Sequence, residues 1–432
     1  MSGPDLFSDP RRVRRGAALT LVFTSVLITG AAAGSWTGPA GESTARPVTR
    51  GVPADAAPDR PVEPDEVADA AVSAMLDGKS PLEAAERAVS RSGDRWGAVY
   101  SEGEYAEFAR ALDGEYTGVG LWARRAEGGL IEVTRVRPEG PAGRAGVREG
   151  DLIRQIDTTR VDGRPVTEVI GLLRGDDPAV DGGPAAAGTE VRLRLQRGGR
   201  TWTETLRRAV LTTEPVTVER RGTDLDPRVL IKVAAFTQGS GADVRSAVRS
   251  APPGAGILLD LRGNSGGLVS EAAEAASAFL DGGLVATYDV RGEQHAVHAR
   301  PGGDTGHPVV ALVDGGTMSA AELLTGALQD RGRAVVVGSR TFGKGSVQLP
   351  SALPDGSVAE ITVGHYRTPS GRALDGEGIT PDLEAGGAAP GTPPPPAASA
   401  ASGPTGRGPG GDGPDPVERQ AETVLSGLGD QP

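Results

Sequence analysis

GILLDLRGNSGGLVSEAAEAASAFL, residues 256–280, sets the reading of the second half of the chain. An apolar run of strand length, Ile257 to Leu261, feeds a Gly-rich turn, and the turn feeds an Ala- and Leu-rich run at helical spacing. Within the turn, Gly263-Asn264-Ser265-Gly266-Gly267 fits G-x-S-x-G, the nucleophile elbow, in the strand-turn-helix context that motif requires. Ser265 is therefore a first candidate nucleophile.

The same alternation extends outward from Pro215 to Asp382. Strand-like runs VLIKVAAF (229–236), GILLDL (256–261), PVVALVD (308–314), AVVVG (334–338) and AEITVGHY (359–366) are interleaved with helical runs after Gly267 and Thr317. This predicts an α/β core around a largely parallel sheet, with ligands beyond the strand ends. Ahead of it, from about Thr117 to Ala209, short alternating strands such as LIEVTRV (130–136) and TEVRLRLQR (189–197) surround a short helix, VTEVIGLLRG (166–175). Pro64 to Leu112 carries Ala, Leu, Val and Phe at helical spacing. The expected division is a signal or membrane-anchor segment over 1–34, a flexible linker over 35–64 and an N-terminal helical segment over 65–112. A β-rich domain follows over 113–210, then the core over 211–384 and a disordered Pro/Gly-rich tail over 385–432, with one short helix near Val417 to Leu425.

Composition narrows the function. The 432 residues carry a formal net charge of −12, which argues against a nucleic-acid partner. With no Cys, thiolate metal sites and a Cys nucleophile are excluded. The four His leave little for a metal site, and His295 and His298 fall in a loop-like stretch. Arg11, Arg12, Arg14 and Arg15 precede an uncharged apolar segment, residues 16–34. It reads as an uncleaved anchor, giving a single-pass cell-membrane protein with its catalytic part outside the cytoplasm, or alternatively as a cleaved secretion signal.

A second serine competes with Ser265. In VDGGTMSAAELLTGALQDRGR (313–333) a strand ends at Asp314, Gly315 and Gly316 turn the chain, and Ser319 opens a helix. A serine there points outward beside unpaired backbone N–H groups, chiefly that of Ala320, but it could equally be an ordinary helix-start residue. TFGKGSVQ (341–348) adds a clue. Of 45 Lys plus Arg residues only Lys79, Lys232 and Lys344 are Lys, and Lys344 sits between two glycines. Arg cannot lose its proton, whereas a desolvated Lys can, and a neutral amine can serve as the base a serine needs. Lowering a lysine pKa from about 10.4 to near neutrality takes roughly 4 kcal/mol, which burial can supply. A surface lysine in a Gly turn is the plainer alternative.

DLRGNSGG, GGTMSAAELLTGALQDRGRAVVVG and RTFGKGSVQ, with Gly118-Val119-Gly120 and PAGRAGVREGDLI upstream, together resemble the carboxy-terminal processing (tail-specific) serine proteases over residues 65–384. The resemblance implies a serine nucleophile with a lysine base 25 positions later and a glutamine four beyond it, which map onto Ser319, Lys344 and Gln348. It implies an oxyanion hole from the N–H groups of Gly266, Gly267 and Ala320, in place of a nucleophilic Ser265. The section from 117 to 209 resembles a PDZ domain, with Gly118, Val119 and Gly120 as the loop that binds a peptide carboxylate. The peptide would lie as an added strand between LWARRA and the helix holding Val169, Ile170 and Leu173. GDDPAVDGGPAAAGT (175–189) is longer than the usual connection, and Thr317, Met318 and Ala321 depart from the family pattern. The implied function is an exported endopeptidase acting through an acyl-enzyme on protein or peptide substrates with free, apolar C-termini. It needs no cofactor or metal, has no nucleic-acid partner, associates with the membrane through residues 16–34 and is compatible with a homo-oligomer. A catalytically silent PDZ scaffold and an α/β-hydrolase esterase using Ser265, an acid at Asp314 or Asp330 and His365 are the alternatives.

Overall fold

In the computed structural model, residues 63–175, 185–290, 293–385 and 415–429 are described. The stretch at 256–280 forms a strand, Gly256–Asp260, a turn, and a helix, Val269–Phe279. That strand lies inside a six-stranded sheet with the order Val216–Thr223, Asp226–Val233, Gly256–Asp260, Val309–Val313, Val335–Gly338, Leu383–Glu384. Successive side chains of a strand point to opposite faces. Ile257 and Leu259 accordingly join one core with Phe279 and Leu324 from the helices Val269–Phe279 and Ala320–Asp330, which the helix Ser240–Arg249 completes through Val244. Leu258, Val310 and Leu312 point the other way, onto Ala421 and Leu425 of the helix Pro416–Gly429. Both faces are covered, which is why these strands read as continuous apolar runs.

The expectation of a largely parallel sheet needs correction for the chain as a whole. Pairing is parallel from Asp226–Val233 across to Leu383–Glu384, but Val216–Thr223 joins antiparallel. The other sheets are antiparallel throughout, because they are built from hairpins and edge additions. The architecture is therefore mixed. His295 and His298 lie on a strand, Glu293–His298, and not in a loop; its polar, exposed residues hide the strand pattern.

Two helices, Pro64–Leu76 and Pro81–Arg91, begin the described chain, each with Pro in its first turn, and Ser80 caps the second through the Glu83 N–H. A short strand, Ala98–Tyr100, then pairs with the distant strand Val358–Arg367, which also pairs with Ser346–Ala352. The helix Glu102–Leu112 follows, opened by a Ser101–Glu104 capping box. From there the paired strands Glu115–Gly118 and Ala209–Thr212 lead the chain into and out of a β-rich unit. Its sheet runs in the order Leu121–Arg125, Ile131–Val136, Leu152–Ile156, Glu190–Arg197, Arg200–Arg207, around a core that includes Ile131, Ile153, Val169 and Leu193.

Two further expectations change. The short helix expected near Val417 to Leu425 is present as Pro416–Gly429, but it is not part of a disordered tail, since it buries Ala421 and Leu425 against the sheet; the preceding Pro/Gly-rich run, 386–414, lies outside the described residues. The proposed signal or anchor, 1–34, and all but the end of the linker also lie outside them. Among the described residues no helix is long and apolar enough to cross a membrane. The longest, Pro416–Gly429, has 14 residues and rises about 21 Å, short of a hydrocarbon core of about 30 Å. The single-pass membrane expectation is corrected on this ground.

Candidate active site

Because Gly256–Asp260 and Val309–Val313 are parallel neighbours, their C-terminal ends deliver two Gly-rich turns to one edge of the sheet. Asp314 ties the turns together, its Oδ1 accepting the N–H groups of Gly263 and Gly316, each at 2.9 Å. Buried Thr317 donates its hydroxyl to the Leu261 carbonyl at 2.9 Å, and the Met318 N–H donates to the Asn264 carbonyl at 2.9 Å. The approach is close enough that a Cβ on Gly266 would stand 2.9 Å from the Cβ of Ser319.

Ser319 sits at the head of the helix Ala320–Asp330 with φ 55° and ψ −118°. Such a conformation costs a non-glycine residue on the order of 1–3 kcal/mol and persists only where the surroundings impose it. An N-cap serine ordinarily accepts a backbone N–H with its hydroxyl. Here the Glu322 N–H goes instead to the Ser319 carbonyl at 2.8 Å, and the hydroxyl makes no cap bond. The side chain is left available for chemistry.

Glu322 is a site residue that the sequence reading missed. Its fully buried carboxylate accepts the Ser319 and Lys344 N–H groups on Oε2, each at 2.9 Å. Oε1 accepts the Gly343 N–H at 2.7 Å and the Thr341 hydroxyl at 2.5 Å. One oxygen thus holds the backbones of Ser319 and Lys344 to within about 6 Å of each other. Burial pushes the Glu322 carboxyl above its ordinary pKa, and the four donors oppose that rise. The signal was present in Ser319-Ala320-Ala321-Glu322, the S-x-x-E spacing of a capping box.

Lys344 is held in a bend that only glycines allow. Gly343 has φ 89°, and a Cβ on Gly345 would stand 2.4 Å from the Asp375 backbone nitrogen. The Lys344 Nζ lies 5.2 Å from the ring centroid of Trp96. Burial holds its pKa below the ordinary lysine value, against the pull of Glu360, Asp94 and Asp375. Gln348 does not bond to Lys344; its Nε2 donates to the Trp96 carbonyl. Among the described residues, no hydrogen bond joins the Ser319 hydroxyl to the Lys344 ammonium.

The Gly-rich turn departs from expectation at one position. The Gly266 N–H donates to Asn264 Oδ1 at 2.8 Å, while the Asn264 amide donates to the Val233 carbonyl at 3.0 Å, so Gly266 is bound within its own turn. The N–H groups of Gly267 and Ala320 have no acceptor among the described residues. Gly267, with φ 124°, packs so closely on Phe236 that a Cβ would lie 2.3 Å from its carbonyl oxygen. The groups that an esterase built on Ser265 would need have other partners. Asp314 holds the two turns, Asp330 accepts the Ser370 N–H at 2.9 Å, and His365 faces Asp375 at 4.0 Å.

In the β-rich unit, the carbonyls of Val119 and Gly120 accept the N–H groups of Ala142 and Arg137, each at 2.9 Å, which fixes the loop. The N–H groups of Val119 and Gly120 have no acceptor among the described residues. Leu121–Arg125, the next strand, is an edge of its sheet, and the helix Val166–Arg174 packs beside it. Buried Val169 and Leu173 belong to the unit's core, with Ile170 part-exposed. Much of the long connection after that helix, residues 176–184, lies outside the described residues.

Both units are similar to known proteins. Residues 229–385 match Peptidase family S41, and residues 132–180 match the PDZ domain. The chain is 33% identical over 316 residues to carboxyl-terminal-processing peptidase 2, chloroplastic, of Arabidopsis thaliana, covering 69% of this chain and 59% of that protein. It is 32% identical over 296 residues to a carboxy-terminal-processing protease of Bartonella bacilliformis, covering 66% and 65% respectively. Its match thus spans about three-fifths of the length of these relatives. Among solved structures it is similar to the photosystem II D1 C-terminal processing protease, at 28% identity and a TM-score of 0.45, covering 70% of this chain and 81% of that one.

Proposed function

We propose, from the premise that this chain belongs to peptidase family S41 and carries a PDZ domain, that it is an exported serine endopeptidase that reads the C-terminal tail of its protein substrates. Ser319 is the nucleophile and Lys344 the base. The observation that carries this reading is the shared Glu322 oxygen, which holds the backbone of a strained, uncapped serine beside that of a half-buried lysine. Ser319 Oγ attacks the scissile carbonyl carbon as Lys344 Nζ takes its proton. Lys344 returns that proton to the leaving amine as the peptide bond breaks; the neutral Lys344 amine then takes a proton from a water that attacks the acyl-enzyme and passes it to Ser319 Oγ as the acid is released. The Ser319–Lys344 hydrogen bond forms with substrate in place, as catalytic contacts often tighten only then. Gly267 and Ala320 N–H groups stabilise the oxyanion, a donor of this kind being worth about 3–4 kcal/mol.

In the same reading the chain divides into a helical segment over 65–112, a PDZ domain over 113–210 and a protease core over 211–384. The substrate carboxylate rests on the loop Gly118 to Gly120, and its apolar C-terminal residues run as an added strand along Leu121–Arg125. The basic and apolar N-terminal residues support export. The test is cleavage of an unfolded protein with an apolar C-terminus. Ser319→Ala abolishes cleavage and keeps tail binding, Ser265→Ala keeps most activity, and Lys344→Arg is nearly as damaging as Lys344→Ala because a guanidinium cannot accept the proton. Activity lost in Ser265→Ala and kept in Ser319→Ala overturns the assignment.

A further inference from the structure

The loop Asp94–Gly97 lies outside both the peptidase and the PDZ matches, yet it reaches the lysine. Trp96 is fixed on several sides. Its N–H donates to Asp94 Oδ1 at 3.0 Å, its carbonyl accepts the Gln348 amide, and its indole Nε1 donates to Asp375 Oδ1 at 3.3 Å. Its ring also packs on Phe342, with centroids 5.7 Å apart. Asp94 pins the loop to the catalytic strands, accepting the Thr362 N–H at 2.8 Å and the Thr362 hydroxyl at 2.9 Å. A ring held this firmly with an ammonium 5.2 Å from its centroid is a seat for that cation.

We propose that Trp96 is a positioning residue for Lys344: its indole face fixes the amine and keeps water from it, and Gln348 acts on the lysine by anchoring Trp96. This rests on the reading of Lys344 as the base. The charged groups around the seat are Glu360 on the strand Val358–Arg367, Asp94 and Arg95 on the loop, and Asp375, with His365 facing it, on the far side. Glu322 holds the Lys344 backbone from below. The acids favour the charged lysine and burial favours the neutral one, and burial prevails. The ring face also favours the charged form, but the water that enters when the ring is removed favours it more, so the amine becomes harder to deprotonate.

The scarcity of lysine makes the test direct. In a Ser319→Ala background, the rate of Lys344 acetylation by acetic anhydride is followed against pH by peptide mass spectrometry, with exposed Lys79 as the internal reference. Lys344 in the otherwise unaltered chain titrates below the ordinary lysine value. Trp96→Ala moves the Lys344 titration up toward the ordinary lysine value, while Trp96→Phe leaves it near its starting point. With Ser319 present, the acid limb of kcat/KM in Trp96→Ala moves to higher pH by the same amount, costing about tenfold near neutrality for each pH unit moved and recovering in alkali. If Trp96→Ala does not fold, Gln348→Ala, which releases the Trp96 carbonyl, shows the same displacement in smaller degree. An unchanged Lys344 titration in the folded variant overturns the proposal. A displaced titration in a protein whose Lys344→Arg form stays active supports the seat and removes the base assignment alone.

Discussion

Glu322 shows how much one carboxylate can determine at this site. Four donors converge on its two oxygens, two on each. Glu322→Gln turns one oxygen into an amide that is itself a donor, so two buried donors lose their acceptor at about 1–3 kcal/mol each. A loss of several kcal/mol in urea unfolding is expected, with at least a tenfold fall in kcat measured well below the melting temperature; unchanged values for both would show that the carboxylate holds nothing essential. The same residues mark what could be read in the sequence. Ser319 and Lys344 could be singled out because strand-turn-helix patterning and a rare lysine are local signals, joined by a resemblance over short segments. Trp96 could not, because its bond to Gln348 spans 252 positions and no local pattern encodes such a contact. Gly266 misled for a related reason, since which glycine N–H is left open depends on where the Asn264 amide turns.

Among the elements, the strand Leu121–Arg125 and the loop before it make the clearest claim. Among the described residues the strand pairs on one side only, with Ile131–Val136, and its other edge lies beside a helix. A peptide added there would end its chain at the Val119 and Gly120 N–H groups. Amidating a substrate's C-terminus removes the charge those groups would receive, and a charge-assisted bond is worth about 1.5–3 kcal/mol. Cleavage of an amidated peptide should therefore be slower by one to two orders of magnitude than that of its free acid. Gly118→Val should imitate the loss, since a Cβ at Gly118 already stands 3.0 Å from the Tyr116 ring. Equal rates for the two peptides would mean that this unit does not read the terminus. The core strands were legible as apolar runs because both their faces are buried. The helix Pro416–Gly429 was undervalued because a long Pro/Gly-rich run precedes it, and composition over that run says nothing of a short amphipathic segment that docks elsewhere.

At the scale of the molecule, this terminal helix closes the sheet and reaches the Gly-rich turn. Arg262, which follows the buried Asp260, donates to Asp260 at 2.8 Å, to Asp415 at 2.6 Å and to Glu418 at 2.8 Å. Burial alone would raise the Asp260 pKa, but the Arg262 bonds and charge, helped by Lys232, outweigh it and hold it below the ordinary value. A chain ending at residue 414 would expose the Leu258, Val310 and Leu312 face and lose two of the three Arg262 partners. Uncovering buried aliphatic side chains costs about 1.5–3 kcal/mol each, so a drop in melting temperature of at least about 5 °C is expected, with reduced kcat. An unchanged melting temperature would mean that the helix does not cover the sheet.

The pairing of Ala98–Tyr100 with Val358–Arg367 has a consequence in time. Bonds such as that from Thr362 to Asp94 join positions 268 apart, so they can form only after most of the chain has been synthesised. Until then the strand Val358–Arg367 that pins the loop Asp94–Gly97 is missing, so Trp96 is not yet held beside Lys344. The site is thus completed only late in synthesis, by the order in which its parts leave the ribosome.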